Sequence, residues 1–141
     1  MQGSTHFFAG TLIGVALSTN PFIILTSCFA ALLPDIDERT SYLGRKVQLL
    51  GFLSRHRGWT HTLLFGAFGT LVFWLFGDSY ALAFGLGFLS HLLLDGLTPQ
   101  GVRLFPFIRL RGPFRTGGIV ELFFRATFFL ASFLVLFTQF M

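Results

Sequence analysis

The sequence predicts an all-α, integral membrane helical bundle with about five transmembrane or partly spanning helices, and three observations carry that prediction. Of 141 residues, 53% are apolar, 11% are charged and the mean hydropathy is +0.73, whereas an ordinary soluble domain carries about 25% charged residues. The apolar residues fall into runs of helix length separated by short turn signals. The basic residues gather between those runs: Arg39, Arg45, Lys46, Arg55 and Arg57 in one segment, Arg103, Arg109, Arg111 and Arg115 in another, with only Arg125 outside. Twenty-one phenylalanines and no long polar stretch leave room for a single membrane-embedded helical domain over residues 1–141.

The first apolar stretch, Phe7 to Leu33, is interrupted by Ser18-Thr19-Asn20-Pro21. Asn20 as N-cap and Pro21 at the first helical position form a helix-start signal, because proline lacks a donor that this position leaves unpaired anyway. Two helices joined by a tight turn are expected. At about 13 residues each they reach only ~20 Å, short of a ~30 Å hydrocarbon core, so one kinked span over the same residues is the alternative. Thr62 to Phe76 and Ser79 to Leu94 flank the turn dipeptide Gly77-Asp78 and read as a helical hairpin. Gly85-Leu86-Gly87 permits close helix packing there, within the chain or in a homo-oligomer. The last run, about Ile119 to Phe140, is long enough to span in one pass, with Glu121 and Arg125 near its start paired at i, i+4.

A net charge of +4 could point to nucleic acid. Its clustering beside apolar spans is instead the positive-inside signature, which argues for a cytoplasmic membrane face and no nucleic-acid partner. Cys28, the only cysteine, lies inside an apolar run and reads as a small buried hydrophobe with no disulfide to form. Met1 to Thr5 lacks a basic n-region, so the N-terminus is expected to be retained. With five helices, both basic segments and the N-terminus lie inside and the C-terminus outside.

That topology sorts seven side chains onto one face: His6 before helix 1, Asp35 and Asp37 after helix 2, His56 and His61 before helix 3, His91 and Asp95 ending helix 4. His91 and Asp95 are four apart, share a helix face and can enter one coordination sphere; a structural hydrogen-bonded pair is the other reading. Asp35-Ile36-Asp37 sits at a helix C-terminus, where carboxylates oppose the macrodipole and want a cation, unless the terminus is simply solvated. His56 and His61, five apart across Arg57-Gly58-Trp59-Thr60, suit a loop entering a helix, and either could be an ordinary interfacial histidine. His6 is open to the same reading. Mixed imidazole and carboxylate ligands argue for zinc, with manganese or iron as alternatives, over magnesium and calcium. Seven ligands exceed one tetrahedral site, so one or two ions are expected.

The order of His6 with Gly10, Leu33-Pro34-Asp35-Ile36-Asp37, His56-Arg57-Gly58-Trp59-Thr60-His61, Ser90-His91-Leu92-Leu93-Leu94-Asp95 and Leu97-Thr98-Pro99-Gln100-Gly101-Val102 resembles the LexA-regulated, membrane-bound metal-dependent hydrolases of the YdjM type, a family of prokaryotic inner-membrane proteins. The resemblance covers roughly Thr5 to Arg111. It implies a multi-pass protein of the cytoplasmic membrane and a metal-dependent hydrolase whose substrate the family does not supply.

From the residues, the expected reaction is hydrolysis of a phosphoester, in a lipid headgroup or another lipid-linked substrate, at the cytoplasmic interface. Metal-activated water would be the nucleophile, Arg57, Arg55 or Arg103 would neutralise the phosphate, and Asp37 would be the general base. Amide or ester hydrolysis is the nearest variant. A divalent-metal transporter or sensor, and a structural subunit with a folding metal, are the readings from other classes.

Overall fold

The computed structural model describes residues 1–37, 59–105 and 108–141, with Asp37 and Phe140 described by their backbone only. The described residues form five α-helices: α1 (Gly3–Leu17), α2 (Pro21–Leu32), α3 (Leu63–Trp74), α4 (Asp78–Gly96) and α5 (Ile119–Phe140). Short 3-10 turns, Leu33–Asp37 and Trp59–His61, follow α2 and precede α3. Strands β1 (Val102–Phe105) and β2 (Ile108–Leu110) make an antiparallel hairpin between α4 and α5.

The turn at Asn20-Pro21 forms as the sequence requires. Asn20 accepts a hydrogen bond from the Phe22 amide at 2.9 Å, with Pro21 opening the helix, so α1 and α2 are separate helices and the kinked span is not adopted. Helix α1 starts at Gly3, earlier than the apolar run, and carries His6 within it. Thr62 caps α3 through the Phe65 amide at 3.3 Å, and Gly77, at φ 127°, makes the sharp turn into α4. Only glycine adopts that backbone angle at little cost. Asp78 accepts from the Trp74 indole at 2.8 Å and ties the turn together.

Two expectations need correction. The all-α class fails at Val102–Phe105 and Ile108–Leu110, where Val102 is buried, Arg103 exposed and Leu104 half-buried; that period of two is a strand signal. Nor do Glu121 and Arg125 pair. Glu121 is buried and accepts from the Thr5 hydroxyl at 2.9 Å, the Gly117 amide at 2.5 Å and the Gln2 amide. Arg125 donates to the Gln2 and Ser4 side chains at 3.0 and 3.1 Å. A buried carboxylate is better satisfied by three fixed donors from the start of α1 and its own preceding loop than by a solvated guanidinium one turn away.

Small residues set the helix spacing. A Cβ on Gly10 would lie 2.8 Å from the Ala31 side chain, and one on Gly14 2.7 Å from the Ile24 backbone, so α1 lies directly on α2. Gly87 brings α4 onto the Ser27 carbonyl in the same way, at 2.4 Å. On α3, Gly66 and Gly69 leave room for the rings of Phe88 and Phe84. The Gly85-Leu86-Gly87 stretch therefore packs inside the chain, Gly85 against Thr70 and Gly87 against Ser27. Ala30, Phe84, Phe88, Leu92 and Val102 make the central core, with Phe73 stacked on Phe84 at 4.7 Å. Helix α5 packs along α1, and Gln139 donates to the Val15 carbonyl at 2.8 Å at the far end.

Among the described residues one helix, over Ile119–Gln139, is long and apolar enough to cross a membrane. Helices α1, α2 and α3 are shorter apolar helices.

Candidate metal centre

Four elements bring five of the seven expected ligands to one place. Helix α1 delivers His6, the 3-10 turn after α2 delivers Asp35, the 3-10 turn before α3 delivers His61, and α4 delivers His91 and Asp95 from one face. The close contacts at Gly10 and Gly87 are what let three helix backbones converge there. All three imidazoles are fully buried and Asp95 is nearly so. The Asp35 side chain, 16% exposed, is the only one of the five with appreciable access to the outside.

Nitrogen and carboxylate oxygen alternate in this cluster. His6 Nε2 lies 3.3 Å from Asp95 Oδ1, His91 Nε2 3.6 Å from Asp35 Oδ1 and 3.8 Å from Asp95 Oδ2, and His61 Nε2 3.8 and 3.9 Å from the same two carboxylates. Two sets, His6-Asp35-His91 and His61-His91-Asp95, each have their ligand atoms within 4.8 Å of one another. Atoms bonded to one tetrahedral zinc at about 2.0–2.2 Å stand roughly 3.3 Å apart, so the cluster needs little contraction to fit.

The His91 ring carries the most information. Its Nδ1 is 2.7 Å from the Ala31 carbonyl, which can only accept, so Nδ1 holds the proton and Nε2 presents a lone pair. That lone pair faces two carboxylates and has no hydrogen-bond partner among the described residues. Like-signed electron density at such range is repulsive unless a proton or metal cation lies between. Both ring nitrogens of His6 are also buried without hydrogen-bond partners among the described residues, and the ring stacks on His91 at 3.8 Å. This donor set fits a borderline metal such as zinc.

Surrounding groups hold the ligands in place. Thr60 Oγ1 is 3.2 Å from His61 Nδ1, and the Met1 amino group is hydrogen-bonded to Asp95 Oδ1. Burial pushes the Asp35 carboxyl up, but the His61 hydrogen bond, together with any positive charge on the facing His91 and His6 rings, outweighs it and holds the carboxyl below its ordinary 3.8.

Of the remaining expected site residues, His56, Arg55 and Arg57 lie outside the described residues, as does the side chain of Asp37. Arg103 stands exposed on β1 opposite Arg109 and is not among the clustered side chains. Sequence reasoning missed Thr60, the Ala31 carbonyl and Glu121. Only Glu121 left a usable signal, a lone carboxylate in an apolar helix.

A family model described as YdjM inner membrane protein matches residues 1–140. The chain belongs to that family. Inner membrane protein YdjM of Escherichia coli (strain K12) is 37% identical over 93 residues, covering 58% of this chain and 47% of that protein; YdjM of Shigella flexneri gives the same figures. The uncharacterized protein YvsG of Bacillus subtilis (strain 168) is 34% identical over 151 aligned residues, 94% of this chain and 92% of that one. This YdjM-family chain thus spans about half the length of the YdjM proteins it matches and nearly all of YvsG. No solved structure matches. Membership makes it a membrane protein and supports an inner-membrane location.

Proposed function

We propose that this chain is a metal-dependent hydrolase of the inner membrane, cleaving a phosphoester in a lipid headgroup or a lipid-linked substrate at the cytoplasmic face. The carrying observation is the His91 lone pair aimed at two carboxylates inside a buried cluster of three imidazoles. His6, His61, His91, Asp35 and Asp95 would hold the metal, zinc first. Both ligand sets include His91, whose Nδ1 is held by the Ala31 carbonyl, so one ion bound through Nε2 is the simplest occupancy and a second would need further ligands.

When bound, the metal supplies a water ionising near neutral pH and a Lewis acid for the phosphoryl oxygen. The protein's own groups do the rest. Ala31 keeps the His91 ring turned, Thr60 steadies His61, and burial excludes bulk water from all but the Asp35 side. Substrate would enter past Asp35, the Asp37 carboxylate would take the proton of the attacking water, and Arg55 and Arg57 would hold the phosphate. Arg103, exposed on the hairpin, is better placed to meet lipid than the reacting group. The proposed topology is multi-pass, with α1 and α2 as short, partly spanning helices, α5 as the full span, and the cluster and both basic segments on the cytoplasmic side.

The test is purified protein in detergent or bilayers, analysed for bound metal and assayed for metal-dependent release of phosphate or headgroup across a lipid panel. Turnover that chelation removes and zinc or manganese restores is expected. A metal-loaded protein with no hydrolysis of phosphoester, ester or amide would reject the enzyme reading. Near-complete burial of four ligands favours a second reading, a metal that serves folding, because structural sites are closed and catalytic ones keep an open position. In that case chelation would lower the melting temperature sharply without any activity to lose.

A further inference from the structure

Residues 97–118 contain four arginines and no acidic residue, so the charge of this segment equals the chain's whole net charge of +4. Within it the hairpin sets Arg103 directly opposite Arg109, a like-charge cross-strand pair that costs stability in water. Both are exposed, as are Arg111 and Arg115. Between them stand exposed apolar side chains, Phe105 and Leu110 about 40% and Ile108 50% exposed. Guanidinium groups alternating with apolar side chains suit neither bulk water nor hydrocarbon; they suit the headgroup layer of an anionic bilayer.

The position of the hairpin agrees. Gly112 donates to the Thr98 carbonyl at 3.1 Å and Phe114 to the Leu97 carbonyl at 3.0 Å, while Thr98 Oγ1 donates to the Asp95 carbonyl at 2.8 Å. Val102 is buried in the core beside Leu92. The hairpin is therefore bolted to the turn directly after the metal cluster, at the end of the bundle where the helices leave the apolar core.

We propose that the β1–β2 hairpin is a docking surface for anionic phospholipid, with Arg103 and Arg109 on headgroup phosphates and Phe105 and Ile108 between the headgroups. This rests on the membrane placement proposed above. It gives a role to residues that the hydrolytic reading does not use, and Arg109, which donates to the Gln100 carbonyl at 2.7 Å, has further N–H groups to offer a phosphate. Each arginine near an anionic surface strengthens binding roughly fivefold, and salt weakens it.

The test places a fluorophore on the full chain, in a Cys28→Ser background, at Ile108→Cys on the hairpin or at Phe133→Cys on the exposed face of α5. Each protein is reconstituted in phosphatidylcholine vesicles, with and without phosphatidylglycerol, containing lipids spin-labelled near the headgroup or in the acyl chain. Headgroup-level quenching at Ile108 should rise when phosphatidylglycerol is present. The rise should be lost in Arg103→Gln/Arg109→Gln, retained in Arg103→Lys/Arg109→Lys, and reduced by high salt. Acyl-chain quenching at Phe133 should be the same throughout. Equal quenching at Ile108 with and without the anionic lipid, while Phe133 is quenched, would overturn the proposal and leave the membrane placement standing. No quenching at either position would overturn both.

Discussion

Helices α4 and α5 are the two longest among the described residues, 19 and 22 residues, and they solve opposite problems. Helix α4 lies against α1, α2 and α3 and buries ten residues, including His91 and Asp95. Helix α5 lies along α1 and leaves Leu122, Phe123, Phe129, Leu130, Phe133, Leu134 and Phe137 exposed. Hydropathy finds α5 at once as a candidate span and passes over α4. The difference teaches that in this chain the apolar signal marks the helix with the most exposed apolar surface, while the clustered imidazoles and carboxylates sit on the helix whose polar residues dilute that signal. Inside a bundle a polar group survives only when packing supplies partners. On the exposed face of a helix no neighbouring element supplies them.

The largest effect that would test this contrast is on α4. His91→Ala removes the residue common to both ligand sets and should lower metal affinity more than about 100-fold, beyond the loss typical of a group that only supports a ligand; elemental analysis and calorimetric titration with zinc check it. An unchanged affinity would mean that His91 is not a ligand.

Next comes the packing beneath the site. Gly87→Ala forces a methyl to 2.4 Å from the Ser27 carbonyl and should cost about 1–3 kcal/mol by overpacking, read as a lower melting temperature in detergent. The same substitution at Gly77 should also destabilise, through its positive φ rather than through crowding.

Helix α5 offers a sharper case at its one buried carboxylate. Glu121→Ala leaves the Gln2 and Gly117 amides and the Thr5 hydroxyl without their acceptor and should cost about 1–3 kcal/mol. Because Gln2 and Thr5 flank the start of the helix that carries His6, metal affinity should fall as well, roughly tenfold. Phe133→Leu, on the exposed face, should change stability by less than about 0.5 kcal/mol. If Glu121→Ala proved as silent, α5 would be an anchor and nothing more.

The smallest effect is on pH. Asp35 is held below its ordinary 3.8, so its contribution to stability is present above that value and is lost as pH falls through the lower folded value. Metal-free protein melted at intervals from pH 5 downward should lose stability, and Asp35→Asn should flatten the lower part of that curve.

Much of the fold was readable from particular residues. Asn20-Pro21 marked the turn between α1 and α2, Gly77-Asp78 the turn into α4, and the four-residue spacing of His91 and Asp95 their shared face. The hairpin was not read, because Val102-Arg103-Leu104 is too short a period-two pattern to stand out against runs of helical length. The Glu121–Arg125 pairing misled for a related reason: i, i+4 spacing shows which neighbours a helix offers, and the donors that reached Glu121 came mainly from the start of another helix.

By itself the sequence determined that this is a membrane-family helical chain, where its helices begin, and which side chains can bind a cation, since caps, hydropathy and donor chemistry are local properties. Only the tertiary structure decided that His6, Asp35, His61, His91 and Asp95 meet. It also decided that the His91 lone pair faces carboxylates and that Arg103 stands on a hairpin apart from them. Those facts depend on how closely backbones approach at Gly10 and Gly87 and on which carbonyl orients a ring, and both are set by packing between residues far apart in the chain.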